Sequence, residues 1–70
     1  SRLHEALLSL DEKLRIPLVL HYMEGYPICD VAAALRIPQG TVKTRLRRGR
    51  EELRKTLMQP IGGVSREVVG

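Results

Sequence analysis

The chain has 70 residues, one cysteine, no Trp or Phe, and a formal net charge of +4 from 12 Lys+Arg and 8 Asp+Glu. That length holds one small domain with a modest core, which excludes large pockets and multi-layer enzyme sites. A lone cysteine excludes an internal disulfide and fits a reducing cytoplasm, and no signal peptide or apolar run near the roughly 18 residues of a membrane span is visible.

Residues 2–9 read as a short first helix with Leu3, Ala6, Leu7 and Leu8 apolar. Leu10-Asp11 breaks that pattern, and Asp11 is a good N-cap for a second helix from Glu12 to about Glu24. Leu14, Leu18, His21 and Tyr22 share one face of it, while Ile16, Val19, Leu20 and Met23 make the rest nearly apolar. Pro17, inside this helix, removes a backbone donor and predicts a bend. Gly25 is placed to end it. A third helix is expected over 28–35, with Ile28, Val31, Ala32 and Leu35 inward and Ala32-Ala33-Ala34 allowing a neighbour close. Arg36-Ile37-Pro38 is the next turn, and Pro38 suits a helix entry, where its missing N–H costs nothing. The fourth helix is predicted over 39–57. Domain 1–58 is then followed by a tail, 59–70, read as disordered.

The fourth helix carries the chemistry. Val42, Leu46, Gly49, Leu53 and Leu57 recur at steps of four, three, four and four, which is one narrow side of a helix. Lys43, Thr44, Arg47 and Arg48 point away from it. Residues 1–42 hold four basic and five acidic groups, whereas 43–55 hold seven basic and two acidic. All the excess positive charge therefore lies in thirteen residues, the footprint of a phosphate-binding element. A helix, a short turn and a longer basic helix is the helix-turn-helix plan, whose second helix enters the major groove. The fold class expected is thus all-α: a compact four-helix domain containing a helix-turn-helix. With only Tyr22 and Tyr26 as aromatics, a stacking platform for single strands is disfavoured.

The runs Leu10-Asp-Glu-Lys-Leu-Arg-Ile-Pro-Leu-Val-Leu-His-Tyr-Met-Glu-Gly25 and Ile37-Pro-Gln-Gly-Thr-Val-Lys-Thr-Arg-Leu-Arg-Arg-Gly-Arg50 resemble region 4 of sigma factors of the extracytoplasmic-function group. The similarity covers roughly residues 2–57, and the Gly-Thr-Val-Lys-Thr-Arg-Leu run is its most specific part. The resemblance implies binding of the −35 promoter element as duplex DNA, docking on the β-subunit flap of RNA polymerase, and in many members masking by an anti-sigma factor. It aligns Lys43, Thr44, Arg47 and Arg48 with base-reading positions, and Pro38, Gly40 and Thr41 with a phosphate-contacting helix entry. Arg45 and Arg50 flank the groove face, and phosphate is the expected contact for both. Three residues depart from the family pattern: Pro27 replaces a Ser or Thr opening the third helix, Arg36 replaces a turn Gly and is thereby expected at positive φ, and Asp30 is the only acid of a third helix that is often acidic. The DNA-melting region 2 of a whole sigma factor is absent, so the chain is expected to be a fragment or excised domain.

Other readings stay open beside this one. Arg47 and Arg48 could fork onto guanine O6 and N7 or only neutralise phosphates. The surplus apolar residues Leu3, Leu8, Ile16, Val19, Leu20 and Met23 are either ordinary surface residues or a protein-docking face. The domain could chiefly be an interaction module for an anti-sigma factor or the flap, or the helix-turn-helix end of a response regulator. Membrane or calmodulin targeting by the basic helix is disfavoured by its packed partner helix. Cys29, His4 and His21 match no metal-ligand spacing, Cys29 reads as partly buried, and nothing resembles a nucleophile–base pair; neither cofactor nor metal nor enzymatic activity is expected.

Overall fold

In the computed structural model, residues 2–58 are described. Helix α1, Arg2–Ser9, turns Ala6 and Leu7 inward. Its end is closed locally: Ser9 Oγ donates to the Ala6 carbonyl at 2.7 Å and the Leu10 N–H to that of Leu7 at 3.1 Å. Leu10, expected only to interrupt the pattern, instead enters the core at 7% exposure. The next helix helps to hold this corner. Arg15 Nη1 lies 3.4 Å from the Leu8 carbonyl and 3.3 Å from that of Leu10, so a guanidinium borrowed from α2 meets the carbonyls that α1 leaves unfilled.

Helix α2, Glu12–Leu18, starts as its sequence predicts, with Asp11 Oδ1 accepting the Lys13 N–H at 3.1 Å. Pro17 is buried inside it, and the expected bend appears as a change of helical register. Proline has no N–H and its ring crowds the carbonyl four residues back, so the ladder cannot continue undisturbed. Val19–Met23 adopts π geometry, and the Glu24 N–H reaches back five residues to the Val19 carbonyl at 3.0 Å. Gly25, at φ +83°, reverses the chain. The Tyr26 N–H then donates to the Leu20 carbonyl, and His21 Nδ1 lies 2.8 Å from the Tyr26 carbonyl. A carbonyl only accepts, so His21 carries its proton on Nδ1 here.

Helix α3, Ile28–Leu35, begins after an extended Pro27, whose carbonyl accepts the Asp30 and Val31 N–H groups but which has no side chain to cap with. Val31 and Ala32 are buried, with Ile28 and Leu35 half-buried beside them. Of the three alanines only Ala32 faces a neighbour; Ala33 and Ala34 are exposed, because they lie on the opposite side of the same turn. The helix ends in a Schellman arrangement. Arg36 sits at φ 58°, ψ 46°, its N–H directed at the Ala33 carbonyl at 3.3 Å, and the Ile37 N–H donates to that of Ala32 at 3.1 Å. The positive φ expected of Arg36 is thus present in a residue that pays for a Cβ in the left-handed region.

Helix α4, Gln39–Met58, lies across the other three. Its stripe is the one read from the spacing: Val42, Leu46 and Gly49 are buried, Leu53 and Leu57 half-buried. These close a core of Leu7, Leu10, Leu18, Val31, Ala32, Val42 and Leu46. Gly49 marks the tightest crossing. A Cβ there would lie 2.8 Å from Leu18 Cδ1 and 3.4 Å from the Leu14 carbonyl oxygen, so any larger residue would have to displace the Leu18 side chain. Arg2 Nη2 donates to the Leu57 carbonyl at 2.8 Å and ties the start of α1 to the end of α4. No strand occurs among the described residues, and the architecture is the expected all-α, four-helix domain with a helix-turn-helix in α3–α4. The tail expected at 59–70 lies outside the described residues.

Candidate nucleic-acid interface

The entry to α4 is built to leave donors open. The Val42 N–H makes a helical bond to the Pro38 carbonyl at 3.1 Å. The Gln39, Gly40 and Thr41 N–H groups precede that bond and have no acceptor within the helix. Pro38 offers no side chain that could cap them. Gly40 is exposed, and a Cβ built there would meet no heavy atom within 4 Å. Packing does not require the glycine, although it weakens the helix by about 0.5–1 kcal/mol relative to alanine. Its missing side chain leaves the backbone open to a close approach from outside. Together with the positive end of a long helix dipole, this entry favours an anion.

Past the entry, Lys43, Thr44, Arg47 and Arg48 are all exposed, while Val42 at 0% and Leu46 at 2% fix the opposite side in the core. The rotation of α4 about its axis is therefore set by packing, and the cationic side chains are presented at a defined angle. Arg47 Nη1 sits 3.9 Å from Glu51 Oε2. Both side chains are more than half exposed, so this i,i+4 pair contributes only a few tenths of a kcal/mol and yields readily to a phosphate or a base. Lys55 and Glu52 make a similar exposed pair further along. Acids thus enter only in the second half of the helix.

The two flanking arginines differ. Arg45 is half-buried on the wall of a cleft between the start of α2 and the start of α4, together with Lys13, Pro38, Gly40, Thr41, Thr44 and Arg48. Arg50 lies on the other side of the stripe. Its guanidinium donates to the Tyr22 hydroxyl, with its Cζ 6.0 Å from the Tyr22 ring centroid, a cation–π distance. Arg50 thus forms the rim of an apolar groove rather than part of the cationic cleft that holds Arg45. Sequence spacing could not separate the two, because both lie beside the stripe.

That apolar groove runs between α1, the π segment and the second half of α4, lined by Leu3, Leu7, Leu18, Tyr22, Met23 and Leu53 under Arg50. It divides the six residues expected to dock a protein. Leu3, at 44% exposure, and Met23, at 57%, line it; Leu8 is exposed but does not. Ile16, Val19 and Leu20 are half-buried rather than exposed, and Leu20 packs against the core. Half-buried side chains offer a partner less apolar surface than Leu3 and Met23 do. Tyr22, not assigned a docking role from sequence, is exposed at 53% and lines the groove. Cys29 is exposed, not partly buried, because it falls on the outer side of the first turn of α3. No cluster of three or more His, Cys, Asp or Glu able to hold a metal occurs among the described residues, and no helix there is long and apolar enough to cross a membrane.

An all-α domain whose helix-turn-helix ends in a helix anchored on one side and cationic on the other belongs to the class of duplex-DNA-binding modules. The particular family follows from comparison with known proteins. Residues 1–53 match the family model described as sigma-70, region 4, and the chain belongs to that family. It is 44% identical over 55 residues to the ECF RNA polymerase sigma factor SigW of Bacillus subtilis, covering 79% of this chain and 29% of that protein. It is 40% identical over 58 residues to the RNA polymerase sigma-H factor of Pseudomonas aeruginosa, covering 83% of this chain and 30% of that one. It is also 40% identical over 55 residues to the ECF RNA polymerase sigma factor SigE of Mycolicibacterium smegmatis, 79% of this chain and 21% of that protein. The chain therefore spans less than a third of the length of each of these relatives.

Proposed function

We propose that this domain is the promoter-reading part of a sigma factor of the extracytoplasmic-function group, a binding module without catalytic activity that directs RNA polymerase to promoters. It binds the −35 element as duplex DNA, with the first turns of α4 in the major groove. Lys43, Thr44, Arg47 and Arg48 face base edges; Pro38, Gly40, Thr41 and Arg45 hold the backbone. The observation that carries this reading is the exposure of four polar or cationic side chains on a helix whose reverse side is locked by Val42 and Leu46. Selecting duplexes from a randomised pool with the 70-residue chain tests it. A shared short sequence should emerge, and Arg48→Ala should cost about 1–3 kcal/mol and relax preference at one base pair. Sequence-blind losses would remove base reading by Arg48, and no enrichment at all would remove the DNA reading.

The second reading, a module bound mainly by a protein, has its own support in the apolar groove under Arg50. We assign the two to opposite edges of the stripe: DNA to the side of Arg45, and the polymerase flap or an anti-sigma factor to the groove. A helix-turn-helix from a response regulator is disfavoured by the family match, which includes α1 and α2.

A further inference from the structure

The cleft beside Arg45 has a wall that belongs to neither helix of the helix-turn-helix. We infer that Lys13, at the start of α2, is a DNA-contacting residue: with Arg45 and the Thr41 hydroxyl it seats one backbone phosphate of the duplex. This deepens the proposed DNA reading and rests on it. In the sequence Lys13 stands next to Asp11 and Glu12, far from the basic run, and reads as an ordinary surface charge. The fold brings it to the mouth of the α4 entry, on the same cleft as Thr41, Thr44, Arg45 and Arg48. Among the described residues, no ion pair joins Lys13, Arg45 or Arg48 to a carboxylate. Asp11 is the one carboxylate on this cleft, and its Oδ1 is occupied in capping α2 through the Lys13 N–H.

Three cations therefore line one recess with two hydroxyls and a single carboxylate, Asp11, so the recess keeps a net positive charge. Such an arrangement repels itself and is relieved by an anion. The recess suits a phosphodiester of a polymer better than a free ion. It is open, so a small anion would gain little over water, whereas Thr44 and Arg48 belong both to this cleft and to the face assigned to the major groove. A duplex held there carries its own backbone past the cleft. Arg45 is half-buried and so partly fixed before binding; Lys13 is exposed and swings in as a point charge.

The test titrates the 70-residue chain with a duplex selected by it and with a scrambled duplex, between about 50 and 200 mM salt, where each phosphate neutralised contributes about 0.9 to the slope of log affinity against log salt. Lys13→Ala should weaken both duplexes alike, about three- to tenfold at the lower salt, and flatten the slope by about 0.9; Lys13→Arg should restore both. The order of preference among base sequences should not move, and the thermal melt should match the parent, since the side chain is exposed. Inorganic phosphate should compete no better than chloride at equal ionic strength; selective competition lost in Lys13→Ala would make free phosphate the occupant and overturn the proposal. Unchanged affinity and slope in Lys13→Ala, with Arg45→Ala and Arg48→Ala impaired, overturns Lys13 alone. If all three variants bind as the parent does, the DNA reading of this face falls and takes the inference with it.

Discussion

Arg45 and Arg50 are five residues apart on one helix, flank the same buried stripe, and have the same side chain. One lines a cleft of unpaired cations and the other closes an apolar groove against Tyr22. The difference does not lie in α4. It comes from what the rest of the chain lays alongside: the start of α2, with Lys13, on one edge, and α1 with the π turn on the other. A basic amphipathic helix thus becomes a two-sided device only when its neighbours are in place. The proposed division of labour, DNA on one edge and protein on the other, depends on the rotation of α4 being fixed.

The largest way to break that comparison is to remove what fixes the rotation. Leu46, 2% exposed, sits mid-stripe between the two edges. Leu46→Ala should cost roughly 2–5 kcal/mol, a large part of the stability of so small a domain. Denaturant unfolding followed by circular dichroism measures it. A variant as stable as the parent would mean that α4 is rotated from the position described, and both edges would be reassigned.

A smaller change acts on the spacing of the helices. A Cβ at Gly49 would stand 2.8 Å from Leu18 Cδ1 and 3.4 Å from the backbone oxygen of Leu14. Leu18 is 4% exposed and lines the groove, so an added methyl would push it toward that space. Gly49→Ala improves helix propensity by up to about 1 kcal/mol, and overpacking costs about 1–3 kcal/mol. We expect net destabilisation, with the groove disturbed more than the cleft. A gain in melting temperature would show that α2 and α4 can separate freely and that glycine is not required at their crossing.

Much of this was legible beforehand, and the reason is periodicity. The stripe of α4, the Asp11 cap, the Gly25 reversal and the inner face of α3 each depend on residues within a turn or two of one another, where spacing is informative. What escaped depends on contacts distant in sequence. Leu10 reads as a break because it ends a helical pattern, yet a residue outside a helix can still be core. Ile16, Val19 and Leu20 read as surplus on a separate helix, whereas in the fold all three are half-buried. The roles proposed for Lys13 and Tyr22 rest on what the fold sets beside them, Arg45 and Arg50. Base reading by residues of α4 can be proposed from sequence, since their partner is outside the molecule and only their common face matters.

The comparison itself is sharpened by replacing the two arginines in parallel. Arg45→Ala should reduce duplex affinity by about 1 kcal/mol and flatten the salt dependence by about 0.9, as for any lost phosphate contact. Arg50→Ala should leave both nearly unchanged, and should instead alter binding of a polymerase-flap or anti-sigma partner. Leu3→Glu and Met23→Glu, exposed on the same groove, should weaken those protein partners without touching DNA, and are better probes than Ile16, which is half-buried. Fluorescence anisotropy against a labelled duplex and against each protein gives all four answers. Equal DNA losses from Arg45→Ala and Arg50→Ala would dissolve the distinction between the edges.

The smallest effect expected is at the turn from which α4 sets out. Arg36 holds φ 58° at the end of α3, a conformation that costs an L side chain roughly 1–2 kcal/mol and costs glycine nothing. Arg36→Gly relieves that strain, while the added freedom of glycine in the unfolded chain returns about 0.4–1 kcal/mol of it. The net should be a stabilisation of about 0.5–1 kcal/mol, seen as a raised denaturation midpoint with unchanged slope. The same variant removes an exposed positive charge next to the α4 entry. If that charge served only the turn, duplex affinity and its salt slope should hold steady as stability rises. A more stable variant that binds DNA less well would show that the arginine is kept for its charge despite its strain, and would extend the phosphate-binding edge from Lys13 and Arg45 back into the turn. A variant no more stable than the parent would mean that the Schellman turn, with Ile37 packed on the core, already absorbs the cost of a left-handed arginine.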